Sequence, residues 1–102
     1  MEIPEPRKRS ILLSETISQV SARDVVRDII DVNEDDNQKE KIYKDWKREP
    51  ILIFINSFGG GVYDGIAIID AIKQSKTPVT TICIGSCMSM ALWIFLAAEY
   101  KM

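Results

Sequence analysis

Two unbroken apolar runs, Ile51–Ile55 and Val79–Ile84, restrict the folds open to this chain more than any other feature, because each leads into a turn of small residues and then a helical pattern. The first run has five apolar residues, four of them β-branched or aromatic, between Pro50 and Asn56. A run with no polar face to offer solvent predicts a fully buried strand, as in parallel sheets. It is followed by Asn56-Ser57-Phe58-Gly59-Gly60-Gly61, and the second run by Gly85-Ser86-Cys87-Met88-Ser89-Met90. Consecutive glycines at a strand end mark backbone that bends sharply or that something else approaches closely. Val62, Ile66, Ala67, Ile69 and Ile72 then recur at helical spacing to about Lys76, where Thr77-Pro78 breaks the pattern. A last helix is expected from about Ser89 through Leu92, Trp93, Phe95 and Leu96. Strand, helix, strand, helix with short connections predicts an α/β layer of parallel strands with crossover helices. Both turns then lie at the carboxyl ends of the strands, the edge where such sheets bind ligands.

The earlier half is less regular. Residues 1–9 contain two prolines and five charges and read as a flexible N-terminal arm, leaving 10–102 as a single domain or part of one. Ser10–Leu13 is a short first strand. A helix is expected from Ser21, with Asp24 three residues on as a weak capping box and Val25, Val26, Ile29 and Ile30 as its apolar stripe. From Asn33 to Glu49 the sequence turns charged, with Ile42, Tyr43 and Trp46 on one side of an extended or second helix. Its charges read as a solvated face, and Pro50 ends it.

Composition removes several function classes. A net charge of −2 and a pI near 5.1 give no electrostatic reason to expect nucleic acid or an anionic membrane. The apolar segment Met88–Ala98 is shorter than the roughly 20 residues that span a bilayer and reads as a buried helix. The N-terminus shows no signal peptide. With two cysteines and no histidine, neither a disulfide framework nor a zinc site is expected, and Cys83 and Cys87 read as reduced thiols of a cytosolic protein. The missing histidine also means that imidazole general-base catalysis cannot be completed by these residues.

Two readings of the turns stay open. Ser89 is well placed to cap the last helix, with its hydroxyl accepting an orphan amide. Alternatively it is a nucleophile, which needs two N–H donors aimed at the oxyanion formed on the attacked carbonyl. The Met90 amide, at the positive end of the helix, and an amide of the glycine turn would suit, provided that the two strands are neighbours. Phosphate loops fail on spacing: Asp64 stands where a dinucleotide loop needs glycine, and no lysine–hydroxyl pair closes a Walker loop. The flanking glycines of a nucleophile elbow are absent around Ser86 and Ser89.

The segments Ile55-Asn56-Ser57-Phe58-Gly59-Gly60, Gly65–Asp70, Val79–Gly85 and Ser89-Met90-Ala91 resemble the proteolytic subunit of the Clp protease, ClpP, without a gap from Asn56 to Met90. The resemblance implies a crotonase-like fold and a serine endopeptidase. It places Ser89 as nucleophile, the amides of Gly60 and Met90 as oxyanion hole, and Gly61 and Val62 where an extended peptide pairs strand to strand. It implies no metal and no cofactor on the chain, since ATP is used by a partner ATPase. It further implies self-association into rings, a Clp-type ATPase unfoldase as partner, unfolded protein or peptide substrates, and a cytoplasmic location. Phe58 stands where the family usually has proline, and Cys87 and Met88 replace small residues before the serine.

In that family the histidine and aspartate of the triad lie beyond the segments matched here. The expectation is therefore a truncated chain with nucleophile and oxyanion hole only, inactive alone. The rivals are a non-catalytic structural subunit of a Clp-type ring, a crotonase-type acyl-CoA enzyme, and a Ser–Lys dyad for which no lysine is marked by position.

Overall fold

The computed structural model describes residues 9–102. Strands and helices alternate: β1 (Ser10–Leu13), α1 (Gln19–Ile42), β2 (Ile51–Ser57), α2 (Val62–Gln74), β3 (Val79–Cys87), α3 (Met90–Ala97) and β4 (Tyr100–Lys101). The strands form one parallel sheet in the order β1-β2-β3-β4. Ile11 lies opposite Ile53, and Ile51 opposite Val79.

Crossovers of one hand in a sheet of sequential order place every connecting helix on the same face. Burial follows that rule. Ile11, Leu13, Ile51, Ile53, Ile55 and Val79 are buried and join Val25, Ile29, Val32, Ile68, Ile72, Ala91 and Ile94 of the helices in one core. The alternate residues Leu52, Phe54 and Ile82 are only half-buried, and Leu12 is 66% exposed. The expectation that β2 is covered on both faces is corrected accordingly, since the helices cover one face alone. Helix α3 is likewise buried on one side, through Ala91 and Ile94, while Trp93 on the other is 61% exposed. No helix among the described residues is long and apolar enough to cross a membrane.

Helix α1 starts earlier than its apolar pattern implies. Ser18 is the N-cap, and Ser21 occupies the third helical position as the other half of a capping box. The Ser21 amide donates to the Ser18 hydroxyl at 3.2 Å, and the Ser18 amide donates to the Ser21 hydroxyl at 2.8 Å. Serine here takes the role more often given to glutamate or glutamine. The helix then runs unbroken for 24 residues through the first part of the charged stretch.

The buried stripe Val25, Ile29, Val32 continues at helical spacing onto Asp36, which is 0% exposed. A carboxylate in that position is tolerable only if fully partnered. Arg9 binds it through two nitrogens, one at 3.0 Å, the Thr77 hydroxyl donates at 2.6 Å, and the Trp46 indole N–H donates at 3.2 Å. Arg48 reaches Thr77 at 2.8 Å and Glu40 at 2.7 Å, and Lys76 reaches Glu40 at 3.1 Å. Asn33 accepts from the amides of Lys76 and Thr77 at 2.9 and 3.1 Å. The charged stretch is therefore no simple solvated face, because its inward residues bind together the segments that enter β1, β2 and β3. Arg9 belongs to that network and is anchored, whereas the remaining residues assigned to a flexible arm, 1–8, lie outside the described residues.

Burial pushes the Asp36 carboxyl up, but the hydrogen bonds from Arg9, Thr77 and Trp46 outweigh it and hold its pKa at about 2, below the usual 3.8. A depressed carboxylate stabilises the fold above its unfolded pKa and loses that contribution as pH falls through the folded value. Equilibrium denaturation of Asp36→Asn should show a loss of about 3 kcal/mol at neutral pH, the scale for breaking a buried pair. Between pH 3.8 and about 2 the wild type should lose stability more steeply than the variant. Parallel acid limbs would show that the carboxylate is not the group responsible.

Candidate active site

Adjacent pairing of β2 with β3 brings both small-residue turns to the carboxyl edge of the sheet. The register shifts between Ile55, opposite Cys83, and Ser57, opposite Cys87, so β3 advances four residues while β2 advances two. The excess forms a bulge at Gly85 and Ser86, and the Asn56 side-chain oxygen accepts from the Ser86 amide at 3.1 Å. Beyond it the Met88 amide donates to the Ser57 carbonyl at 3.0 Å, which fixes the approach to Ser89.

The glycine turn is held from its own side. The Ser57 hydroxyl accepts from the Gly59 amide at 3.1 Å. Gly59 and Gly60 have φ of 109° and 152°, values that a side chain rarely permits. Ile17 forms a parallel bridge with Gly60: its amide donates to the Gly59 carbonyl at 2.9 Å and its carbonyl accepts from the Gly61 amide at 2.8 Å. A methyl group at Gly60 would overlap the Ile17 carbonyl. A parallel bridge uses the groups of the flanking residues, so the N–H of Gly60 itself faces away from Ile17.

The two turns touch. A Cβ on Gly59 would lie 2.8 Å from the Ser89 Cβ, 3.0 Å from the Met88 carbonyl oxygen and 3.2 Å from the Met90 nitrogen. Ser89 is exposed and has φ 53° and ψ −126°, the only positive φ outside glycine among the described residues. Its hydroxyl makes no capping bond to α3. The helix-cap reading of Ser89 is therefore corrected, since the backbone enters α3 in a geometry that turns the side chain away from the helix amides. Although the glycines of an elbow motif are absent, the sharp strand-to-helix turn is present. A non-glycine residue in such a region costs on the order of 1–3 kcal/mol, and such strain clusters at functional sites. Met90 opens α3, so its N–H has no acceptor within the helix.

Of the residues singled out from sequence, Ser89 and Met90 lie against Gly59, the neighbour of Gly60. Gly61 has its amide engaged by Ile17, and Val62 is the first residue of α2. The Gly61 carbonyl in turn accepts from the Gly65 amide at 3.0 Å. A recess of about 300 Å³ lined by Ser14, Glu15, Thr16, Asn56, Ser57 and Phe58 adjoins the turn. Ile17 and the side-chain role of Asn56 went unread in the sequence, because a single apolar residue between Thr16 and Ser18 has no periodicity. The cysteines differ from expectation too: Cys83 and Cys87 are joined as a disulfide with Cα atoms 6.1 Å apart, because the bulge brings these two positions together. Among the described residues, no cluster of His, Cys, Asp and Glu is suited to a metal, and the groups with resolved pKa shifts (Arg9, Asp36, Glu40 and Arg48) all belong to the network at the amino edge.

The fold is found in known proteins. A family model described as Clp protease matches residues 6–102. The ATP-dependent Clp protease proteolytic subunit 1 of Prochlorococcus marinus (strain NATL2A) is 32% identical over 91 residues, covering 89% of this chain and 41% of that protein. Subunit 2 from strain MIT 9312 of the same species is 34% identical over 90 residues, covering 88% and 39%. ClpP1 from Listeria monocytogenes superposes with a TM-score of 0.71 at 36% identity, covering 89% of this chain and 47% of that one. The ClpP protease catalytic domain from Plasmodium falciparum gives 0.75 at 26% identity, covering 89% and 46%. The chain spans less than half the length of each of these relatives. With the parallel sheet, the paired turns and the family match taken together, the chain belongs to the Clp protease family.

Proposed function

We propose that this chain supplies the nucleophile and oxyanion hole of a Clp-type serine endopeptidase acting on unfolded proteins or peptides. The observation that carries the reading is Ser89, held at φ 53° with its hydroxyl free of any capping bond and pressed against the Gly59 turn. The Ser89 oxygen attacks the peptide carbonyl, and a base takes its proton. Negative charge develops on the carbonyl oxygen between the amides of Gly60 and Met90, and the base then returns the proton to the leaving amine. Preformed donors of this kind need no reorganisation at the moment of reaction, which is why they are effective. Met90 adds the favourable end of the α3 dipole.

The base is the part that this sequence does not provide, since it has no histidine. In the proposed reading the base comes from a segment or subunit other than these residues, and an assembly that brings it in completes the site. The half-covered sheet face, with Leu12, Leu52, Phe54 and Ile82, and the open side of α3 supply apolar surface for such association. Family membership is what supports the working state proposed here, a cytoplasmic ring fed by a Clp-type ATPase, with ATP consumed by that partner.

The 102-residue polypeptide alone should hydrolyse no peptide substrate above background, and turnover that disappears in Ser89→Ala would contradict this. A longer protein that includes these residues and assembles should be labelled at Ser89 by a fluorophosphonate, as peptide mapping would reveal. Absence of label on the folded assembly would identify a non-catalytic ring subunit instead. In that assembly Gly60→Ala keeps its N–H, but its methyl would overlap the Ile17 carbonyl and displace the turn, so the labelling rate should fall by about 10²-fold, the scale for misplacing one oxyanion donor. A rate equal to wild type would remove Gly60 from the site.

A further inference from the structure

The bulge before Ser89 carries a feature that the hydrolytic reading does not use. Cys83 and Cys87 sit at its two ends, with Cα atoms 6.1 Å apart and the sulfurs bonded. The bond closes a ring around Ile84, Gly85 and Ser86 and so spans the segment whose extra length sets where β3 ends. Cα separations of 4.4–6.8 Å are the usual range for a disulfide, so the backbone suits the bond as it stands. Both residues are half-buried, which leaves a path for a small reagent.

The reduced state is also provided for. The Cys87 sulfur lies 3.6 Å from the Ile55 carbonyl oxygen, an acceptor that its thiol meets once the bond is reduced. Without the covalent link, the bulge is held by the Ser86 amide on Asn56 at 3.1 Å and the Met88 amide on Ser57 at 3.0 Å. The same Ser57 accepts the Gly59 amide through its hydroxyl at 3.1 Å, so any loosening of this segment reaches the contact between Ser89 and the glycine turn.

We propose that Cys83 and Cys87 form a reversible dithiol–disulfide pair whose oxidation locks the bulge and orders the Ser89 turn. The oxidant is a low-molecular-weight disulfide such as oxidised glutathione. One cysteine thiolate attacks it, forming a mixed disulfide and releasing one glutathione thiolate. The second cysteine thiolate attacks the protein sulfur of that mixed disulfide and expels the other glutathione. Protein dithiol and one oxidised glutathione thus become protein disulfide and two glutathione molecules, with two electrons transferred. The proposal rests on backbone placement and does not depend on the chemistry assigned to Ser89.

The test uses the full chain equilibrated across a series of reduced-to-oxidised glutathione ratios, followed by acid quench, thiol alkylation and mass spectrometry. An intramolecular disulfide that appears and disappears reversibly along the series is expected. Hydrogen exchange of the amides from Gly85 to Met90 should be about tenfold slower in the oxidised protein, the scale expected from closing a short loop. In Cys83→Ala and Cys87→Ala this redox dependence should vanish. Thiols that stay free at every ratio, exchange identical in the two wild-type states, or a redox response that persists in the variants would each overturn the proposal, and the wild-type comparison stands even where a variant fails to fold.

Discussion

The parallel pairing of β2 with β3 is the constraint on which the rest depends. Two strands side by side in the same direction must end at the same edge, so the turns that follow Ser57 and Cys87 meet there. Neither turn has a site of its own. The glycine turn offers amides and close approach, and the second turn offers a hydroxyl at a strained position. Only the ladder between Ile51–Ile55 and Val79–Cys83 brings one to the other, and the bulge at Gly85 and Ser86 adjusts the length so that Ser89 arrives beside Gly59.

The molecule divides its polar groups between the two edges. At the amino edge, Asp36, Arg9, Thr77, Trp46, Arg48 and Glu40 tie together the chain entering β1, β2 and β3. Their charges are mutually satisfied, and this is where the ionisation shifts are found. At the carboxyl edge the groups holding the turns are neutral: Ser57, Asn56, and the backbone of Ile17 and the glycines. The charged network and the neutral groups that hold the turns are thus different sets of residues on the same sheet.

Much of this was legible because periodicity is a local property. Continuous apolar runs at Ile51–Ile55 and Val79–Ile84 announced strands, and Val62–Ile72 announced a helix, with ends displaced by only a few residues. The start of α1 was missed because Ser18 and Ser21 are both good capping residues, and only the geometry distinguishes them. Strand β4 was missed because Tyr100–Lys101 is too short to have a period. Asp36 looked like one charge in a charged run. Its place on the buried stripe follows from helical phase, but its tolerance there needs Arg9 and Thr77, 27 and 41 residues away.

By itself, the sequence determined the alternation of strand and helix, the positions of the two turns, and the absence of an imidazole base, since each is written in local composition. It also carried the family resemblance, because the spacing from Asn56 to Met90 is conveyed by residue types alone. Tertiary structure decided how those residues are placed and bonded. It withheld the Ser89 hydroxyl from the helix, engaged the Gly61 amide with Ile17, joined Cys83 to Cys87, and left one sheet face half-covered. The reason is that each of these depends on which distant atom occupies a donor, acceptor or surface first, and that competition is resolved only when the strands are laid side by side.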